Sequence, residues 1–310
     1  MNSVSPVPPP FGRVLTAMVT AFADDGSVDL EGTVRVAEHL ADHGHDGIVV
    51  SGTTGEAPTT SVEEAGQILR AVMDAVGDRV KIVAGVGTNS TSHSIELAEQ
   101  AFKIGADGAL VVTPYYNRPT QEGVAAHFEA VANATALPVM LYDIPGRAGI
   151  RIADETYARV AEHSRIVAVK DAVGDLYRGV RIMQETGLAF YSGDDAMNLG
   201  WLTHGASGVV SVVGHVAGDQ YAAMLRAVER EDLSEALAIY RRLVPVVDAI
   251  MNRAPGAIMA KAAMELLGVI PNRNVRLPLV PAGDDLVANL RVQLTTAGLL
   301  EGTPMTKGTV

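Results

Sequence analysis

Along the chain, short runs of Val, Ile, Leu and Ala recur between longer stretches in which apolar positions fall three and four residues apart. The short runs predict strands at Val14–Phe22, Gly47–Gly52, Lys81–Gly87, Gly108–Pro114, Pro138–Asp143, Ile166–Ala172, Leu188–Gly193 and Gly208–Gly214. Apolar character without polar alternation suits parallel strands that are covered on both faces. The helical spacing predicts helices over Leu30–His43, Val62–Val76, Ser92–Ile104, Gln121–Ala136 and Ala153–His163. In the first of these, the apolar or small positions are Val34, Ala37 and Leu40–Ala41. Strands alternating with helices in this number predict an α/β fold, a closed (β/α)8 TIM barrel. An open doubly wound sheet also alternates, but it more often carries a Gly-rich dinucleotide turn, and none is present.

A weak internal echo supports the barrel. Gly44-His-Asp-Gly47, Gly105-Ala-Asp-Gly108 and Gly205-Ala-Ser-Gly208 each stand between a helix and a Val/Ile run. The first Gly of each suits the left-handed position that ends a helix, and the second allows a tight entry into the strand. Gly218–Gly268 carries a helical pattern throughout, more than one closing helix needs. A Pro-rich stretch after Pro271 leads to a last helix near Asp284–Ala297. The expected organisation is a flexible Pro-rich lead over 1–11 and a barrel core over 12–217. Residues 218–310 then supply the closing helix and a C-terminal helical extension of the same unit.

Composition narrows the function classes. Nearly half of the 310 residues are apolar, enough for a sizeable core. The formal charge of −12 argues against nucleic acid or an anionic membrane as partner. No apolar run approaches the roughly 18 residues that span a bilayer. Met1–Pro10 has neither the basic region nor the apolar core of a secretory signal. There is no cysteine, so disulfides, thiolate nucleophiles and Cys-ligated metals are excluded, and a cytoplasmic location fits.

Barrel active sites lie at the C-terminal ends of the strands. Those ends supply Ser51-Gly-Thr-Thr-Gly-Glu56, Thr113-Pro-Tyr-Tyr-Asn117, Tyr142-Asp-Ile-Pro-Gly-Arg147, Lys170-Asp171 and Ser192-Gly-Asp-Asp195. Of the five lysines, Lys81 opens a strand, Lys103 and Lys261 lie on helices and Lys307 is in the tail. Only Lys170 ends a strand, after Ile166-Val-Ala-Val169. Burial there lowers an ammonium pKa and exposes a nucleophilic amine. The structural alternative is an ion pair with Asp171 or Asp194. Thr53 and Thr54, in a Gly turn, offer hydroxyls and backbone N–H groups to a carboxylate, or else simply cap a helix. Tyr116 and Tyr142 are phenols able to carry protons, or packed aromatics. Arg147, beyond a Pro-Gly turn, is a clamp for a second carboxylate or a surface arginine.

At these residues the sequence resembles the pyruvate-dependent class I aldolase superfamily of dihydrodipicolinate synthase and N-acetylneuraminate lyase. The resemblance runs from about Gly12 to Leu279. It rests on Gly52-Thr-Thr-Gly-Glu56, Thr113-Pro-Tyr-Tyr-Asn-Arg-Pro119, Tyr142-Asp-Ile-Pro-Gly-Arg147, Val169-Lys-Asp171 and Gly193-Asp-Asp195, all in family order. It implies that Lys170 forms a Schiff base with pyruvate, and that the derived enamine attacks L-aspartate 4-semialdehyde, on the diaminopimelate route to lysine. It implies that Thr54 and its loop hold the pyruvate carboxylate. Thr53, Tyr142 and Tyr116 would form a proton relay, with Tyr116 reaching in from a neighbouring subunit of a homotetramer built from tight dimers. Tyr142 would also act at the imine carbon, and Arg147 would bind the semialdehyde carboxylate. Gly193 and Val210 would line the pocket through their carbonyls. No metal or organic cofactor is implied.

Arg147, the tandem Tyr115-Tyr116 and Asn117-Arg-Pro119 resemble the synthase branch rather than the sugar-acid lyases, which usually lack the arginine. There are departures. Many synthases have Asn at the position of Asp143, and Ser and Thr at those of Gly146 and Ala148. At the position of a lysine feedback site, Asn89 and Tyr115 are retained. His93 stands where sensitive relatives carry Glu, and Val62 and Ala65 stand where they carry His. Weak or absent lysine inhibition is therefore expected.

Three further readings stay open. A metal-dependent aldolase needs convergent ligands, and His39 and His43 have suitable helical spacing, but on a helix outside the barrel. His93, His127, His163, His204 and His215 read as surface or helix-end residues. A flavin- or phosphate-binding barrel has only Gly205-Ala-Ser-Gly208 to offer, on the wrong side of its strand. A catalytically inactive binding barrel is the non-enzyme alternative.

Overall fold

The computed structural model describes residues 9–301. Eight parallel strands close into a barrel in sequence order: β1 (Val14–Ala17), β2 (Gly47–Val50), β3 (Lys81–Gly85), β4 (Gly108–Val112), β5 (Val139–Asp143), β6 (Ile166–Asp171), β7 (Ala189–Ser192) and β8 (Gly208–Ser211). Each lies inside a predicted strand; the residues trimmed from the C-terminal ends form the loops of the candidate site. The five predicted helices are present within a residue or a few of their expected ends. Two more, Leu176–Thr186 and Asn198–Thr203, fill the connections after β6 and β7. The pairs Asp175/Gly187 at the ends of Leu176–Thr186 are the signal that marks it. Asp175 accepts from the Arg178 N–H at the start, and Gly187 takes φ 71° at the end.

The first helix, Leu30–Asp42, buries Thr33, Val36, Ala37 and Leu40, so its core stripe runs through Val36 rather than Val34. The repeated Gly-x-x-Gly connections do what their spacing requires. Gly44, Gly105 and Gly205 all have positive φ. A Cβ on Gly47, Gly108 or Gly208 would strike the Phe11 carbonyl, the Phe11 ring or the Arg13 carbonyl respectively. The three strands thus start close against one segment, 11–13, which plugs the bottom of the barrel. The Asp46 carboxylate fastens that segment by accepting from the Arg13 and Val14 N–H groups. Residues 1–8 of the expected lead lie outside the described residues. Phe11, at its end, is not flexible lead but fully buried in the barrel interior.

Beyond β8 come helices Gly214–Glu229, Leu233–Val247, Gly256–Leu266 and Asp284–Thr296, with a π-type turn at Asp248–Asn252. Their Met224, Leu243, Ile258 and Leu290 share one apolar cluster with Val36, Val72 and Val131 of the barrel helices. No helix among the described residues is long and apolar enough to cross a membrane.

Candidate active site

Alternation along β5 and β6 decides which side chains face the barrel axis. Met140 and Tyr142 of β5 point inward, as do Ala168 and Lys170 of β6. Leu141 and Val169 point out to the helices. Tyr142 and Lys170 are paired in register, so they stand side by side at the top of the barrel. The Lys170 Nζ lies 4.2 Å from the centroid of the Tyr142 ring. Gly193, just after the neighbouring strand β7, has to be glycine: a Cβ would fall 2.8 Å from Lys170 Cγ.

Lys170 is 4% exposed, and its amine has no hydrogen bond or ion pair among the described residues. Neither pairing partner considered from the sequence holds it. Asp171 points to the other face of β6 and accepts from Val173 and Gly174 N–H groups, and Asp194 accepts from the Ala196 N–H. Burial lowers the Lys170 pKa to about 8, with Asp195 opposing and Arg147 assisting. The amine is therefore available as a nucleophile near neutral pH. Burial also pushes the Tyr142 phenol well above its usual range, so it stays a proton donor.

These groups open into a cavity of about 1140 Å³. Thr53 and Thr54 line it from the loop after β2, Tyr115 and Tyr116 from the loop after β4, and Arg147 from the short helix Pro145–Ala148. That helix replaces the simple turn expected at Pro145-Gly146. Tyr116 is 89% exposed, with φ 72°, and its N–H meets the Ala148 carbonyl. No hydrogen bond joins Thr53, Tyr142 and Tyr116 among the described residues. Val210 does not reach the cavity wall; it packs inside the barrel, and Val212 lines the cavity instead. Asn89, His93 and Tyr115 gather at the outer part of the same cavity. Met251 and Asn252, from the π-type turn, line it too, and nothing local in their sequence marks them.

One histidine needs correction: His127 lies mid-helix and is buried, whereas His215 is at a helix end as expected, and buried there. His215 Nε2 accepts from the Val19 N–H while Nδ1 donates to the Val212 carbonyl, so it joins the loops after β1 and β8. His39 and His43 stack with ring centroids 4.2 Å apart, and His39 Nε2 is engaged by the His215 carbonyl.

Behind Tyr142 and Lys170, the outward carboxyls of Asp143 and Asp171 stand in register on β5 and β6. Burial raises Asp143 to about 7 and Asp171 to about 6. The Ile152 N–H and the Tyr157 hydroxyl donate to Asp143 Oδ2, while its Oδ1 is buried without a partner. A carboxyl raised on folding contributes stability below its unfolded pKa and loses it as pH rises through the folded value near 7. Asp143→Asn, which cannot ionise, is therefore expected to gain on the parent as pH rises. The unfolding free energies should be close near pH 4 and increasingly favour the variant up to about pH 7, by a few kcal/mol at most. A pH-independent difference would contradict the raised carboxyl.

The model of the dihydrodipicolinate synthetase family matches residues 10–297. The chain is 59% identical over 290 residues to a 4-hydroxy-tetrahydrodipicolinate synthase of Kineococcus radiotolerans, covering 94% of each chain. It is 56% identical to the synthase of Acidothermus cellulolyticus, covering 95% of each. Among solved structures, a dihydrodipicolinate synthase from Cyanidioschyzon merolae with lysine bound is similar, with a TM-score of 0.91 and 43% identity, over 94% of this chain and 99% of that one.

Proposed function

The chain belongs to the dihydrodipicolinate synthetase family, and from that membership and the strand-end constellation we propose how its residues carry the family's reaction. It is a lyase of the class I aldolase type, condensing pyruvate with L-aspartate 4-semialdehyde to give 4-hydroxy-tetrahydrodipicolinate, in the diaminopimelate route to lysine. The observation that carries the residue assignment is Lys170: a buried, unpaired amine at the end of β6, beside the phenol of Tyr142.

The neutral amine attacks C2 of pyruvate, and water leaves to give an imine. Loss of a proton from C3 gives the enamine, whose C3 bonds to the aldehyde carbon while the aldehyde oxygen takes up a proton. The amino group of the adduct then closes on C2 and displaces Lys170. Thr54 and the N–H groups of its loop hold the pyruvate carboxylate, and Gly193 leaves room for the lysine side chain. Tyr142 delivers and receives protons with Thr53 and with Tyr116 of a neighbouring copy, which the exposure of Tyr116 favours. Arg147, exposed at the cavity rim, receives the carboxylate of the second substrate. We place the enzyme in the cytoplasm as a homotetramer of two tight dimers.

Coupled reduction of the product formed from pyruvate and L-aspartate 4-semialdehyde tests the reading. Turnover supports it; a pyruvate adduct without turnover redirects it to a sugar acid as the partner of pyruvate. Because His93, Val62 and Ala65 replace the residues of lysine-sensitive relatives, lysine at about 1 mM is expected to change the rate less than about twofold. Strong inhibition at that concentration would show that Asn89, Tyr115 and His93 suffice for a regulatory site.

A further inference from the structure

One buried ion pair lies just outside the cavity, next to the loop that lines it: the Glu56 N–H donates to the Thr53 carbonyl. Glu56 ends the hydroxyl-bearing loop that starts at Ser51, and its carboxylate is buried. Glu56 Oε1 accepts from Lys261 Nζ at 2.6 Å, and Oε2 accepts from the Arg276 N–H at 2.8 Å. Lys261 is 0% exposed; it also donates to the Asn274 carbonyl at 2.6 Å and sits 4.0 Å from the Phe22 ring centroid. The Arg276 guanidinium continues the grip, donating to the Thr59 carbonyl and to both oxygens of Glu64.

The loop needs such a hold. Ser51 and Glu56, at its two ends, both take left-handed backbone conformations, with φ of 56° and 58°. A residue with a Cβ persists there only where its surroundings over-determine it, and such strain gathers at functional sites. Between them, Thr53 and Thr54 face the cavity. Two charges buried together gain little net stability even when well paired, so a fixed position is the better account of keeping them. The helix that carries Lys261 follows the turn bearing Met251 and Asn252, so the pair also ties the loop to another part of the cavity wall.

We propose that the Glu56–Lys261 pair is a positioning device for pyruvate. It sets where Thr54 and the N–H groups of its loop, which hold the pyruvate carboxylate, stand relative to Lys170 without touching substrate. This rests on the assignment of Lys170 and Thr54 above.

The test is steady-state kinetics on the full-length chain carrying Glu56→Gln, Lys261→Met or both, with competent sites counted by borohydride trapping of pyruvate. Glu56→Gln keeps the shape of the side chain and leaves Lys261 able to shed its proton, so it decides the matter alone if Lys261→Met does not fold. Misplacing a binding group by a fraction of an ångström weakens binding, so the pyruvate KM should rise about tenfold in each single variant. The kcat per trapped site and the semialdehyde KM should stay within about twofold, and the double variant should be no worse than the singles, because the pair acts as one unit. A merely structural pair would lower the melting temperature and the count of competent sites while leaving the pyruvate KM unchanged. A pyruvate KM within about twofold of the parent in Glu56→Gln, or KM effects that multiply in the double variant, would overturn the proposal. A parent protein that traps no pyruvate would instead remove the Lys170 assignment itself.

Discussion

Lys170→Ala is expected to abolish turnover of pyruvate with L-aspartate 4-semialdehyde, a fall of roughly 10⁴-fold or more to the background of the assay. In the proposed mechanism the chemistry runs through a covalent bond to this amine, and no other lysine lines the cavity to replace it. Among the described residues, Lys261 is the other buried lysine, and its Nζ is held by Glu56 and the Asn274 carbonyl. The same substitution should leave the fold intact or slightly stabilised. The Lys170 amine gives up no hydrogen bond or ion pair on removal, and a buried ionisable group disappears from a largely apolar barrel interior. Activity and melting temperature measured on one preparation separate the two effects. Residual turnover within about tenfold of the parent, in a cooperatively folded variant, would mean that the carbon–carbon bond forms without the imine.

Tyr142→Phe is expected to lower kcat by roughly 10²- to 10³-fold, in the range of general acid–base contributions. The ring is kept, so the contact with Lys170 and the packing of the barrel interior survive, and only the hydroxyl is lost. Pyruvate should still be trapped on Lys170, but more slowly. The distinction matters because burial holds the Tyr142 phenol firmly protonated, which suits the proposed donor to the oxygen that leaves C2. An unchanged kcat would move the proton transfers to Thr53, to water or to another group.

Much of the site was legible because its signals are local. Strand ends follow from apolar runs, barrel sites lie at strand ends, and Lys170 is the single lysine that ends a strand. Tyr142 is legible on the same grounds, as a phenol at a strand end, while the part of Gly193 follows only from the family resemblance. What escaped notice depends on contacts between distant segments. Lys261 looks like any lysine on a helix, yet it is sealed against a glutamate 205 residues away in sequence. The burial of His127 is missed for the same reason: a polar residue's burial is set by the contacts waiting for it, not by its own stretch of chain. Phe11 reads as the end of a Pro-rich lead, and only the closed barrel reveals the hole that it fills. The missing helix Leu176–Thr186 shows a limit of periodicity itself. Its inner face includes Gly179, pressed against Trp201, and Arg178, bonded to Asp154 and the Ile152 carbonyl, so its core stripe does not look apolar.

The groups proposed to carry the imine chemistry stand on rigid strands, whereas those proposed to hold substrate carboxylates stand on the loops that follow them. This division explains why Lys170 and Tyr142 need little help from outside the barrel, while the Thr53–Thr54 loop draws on Lys261 and Arg276 from the C-terminal helices. It also gives those helices a part in the site that their distance in sequence conceals.

The most direct test of the central claim is reduction with borohydride in the presence of pyruvate, followed by peptide mass analysis. The account predicts one reduced pyruvate adduct per chain, located on Lys170 and absent from Lys170→Ala. An adduct on any other lysine, or an unmodified chain that nonetheless turns over both substrates, would contradict it.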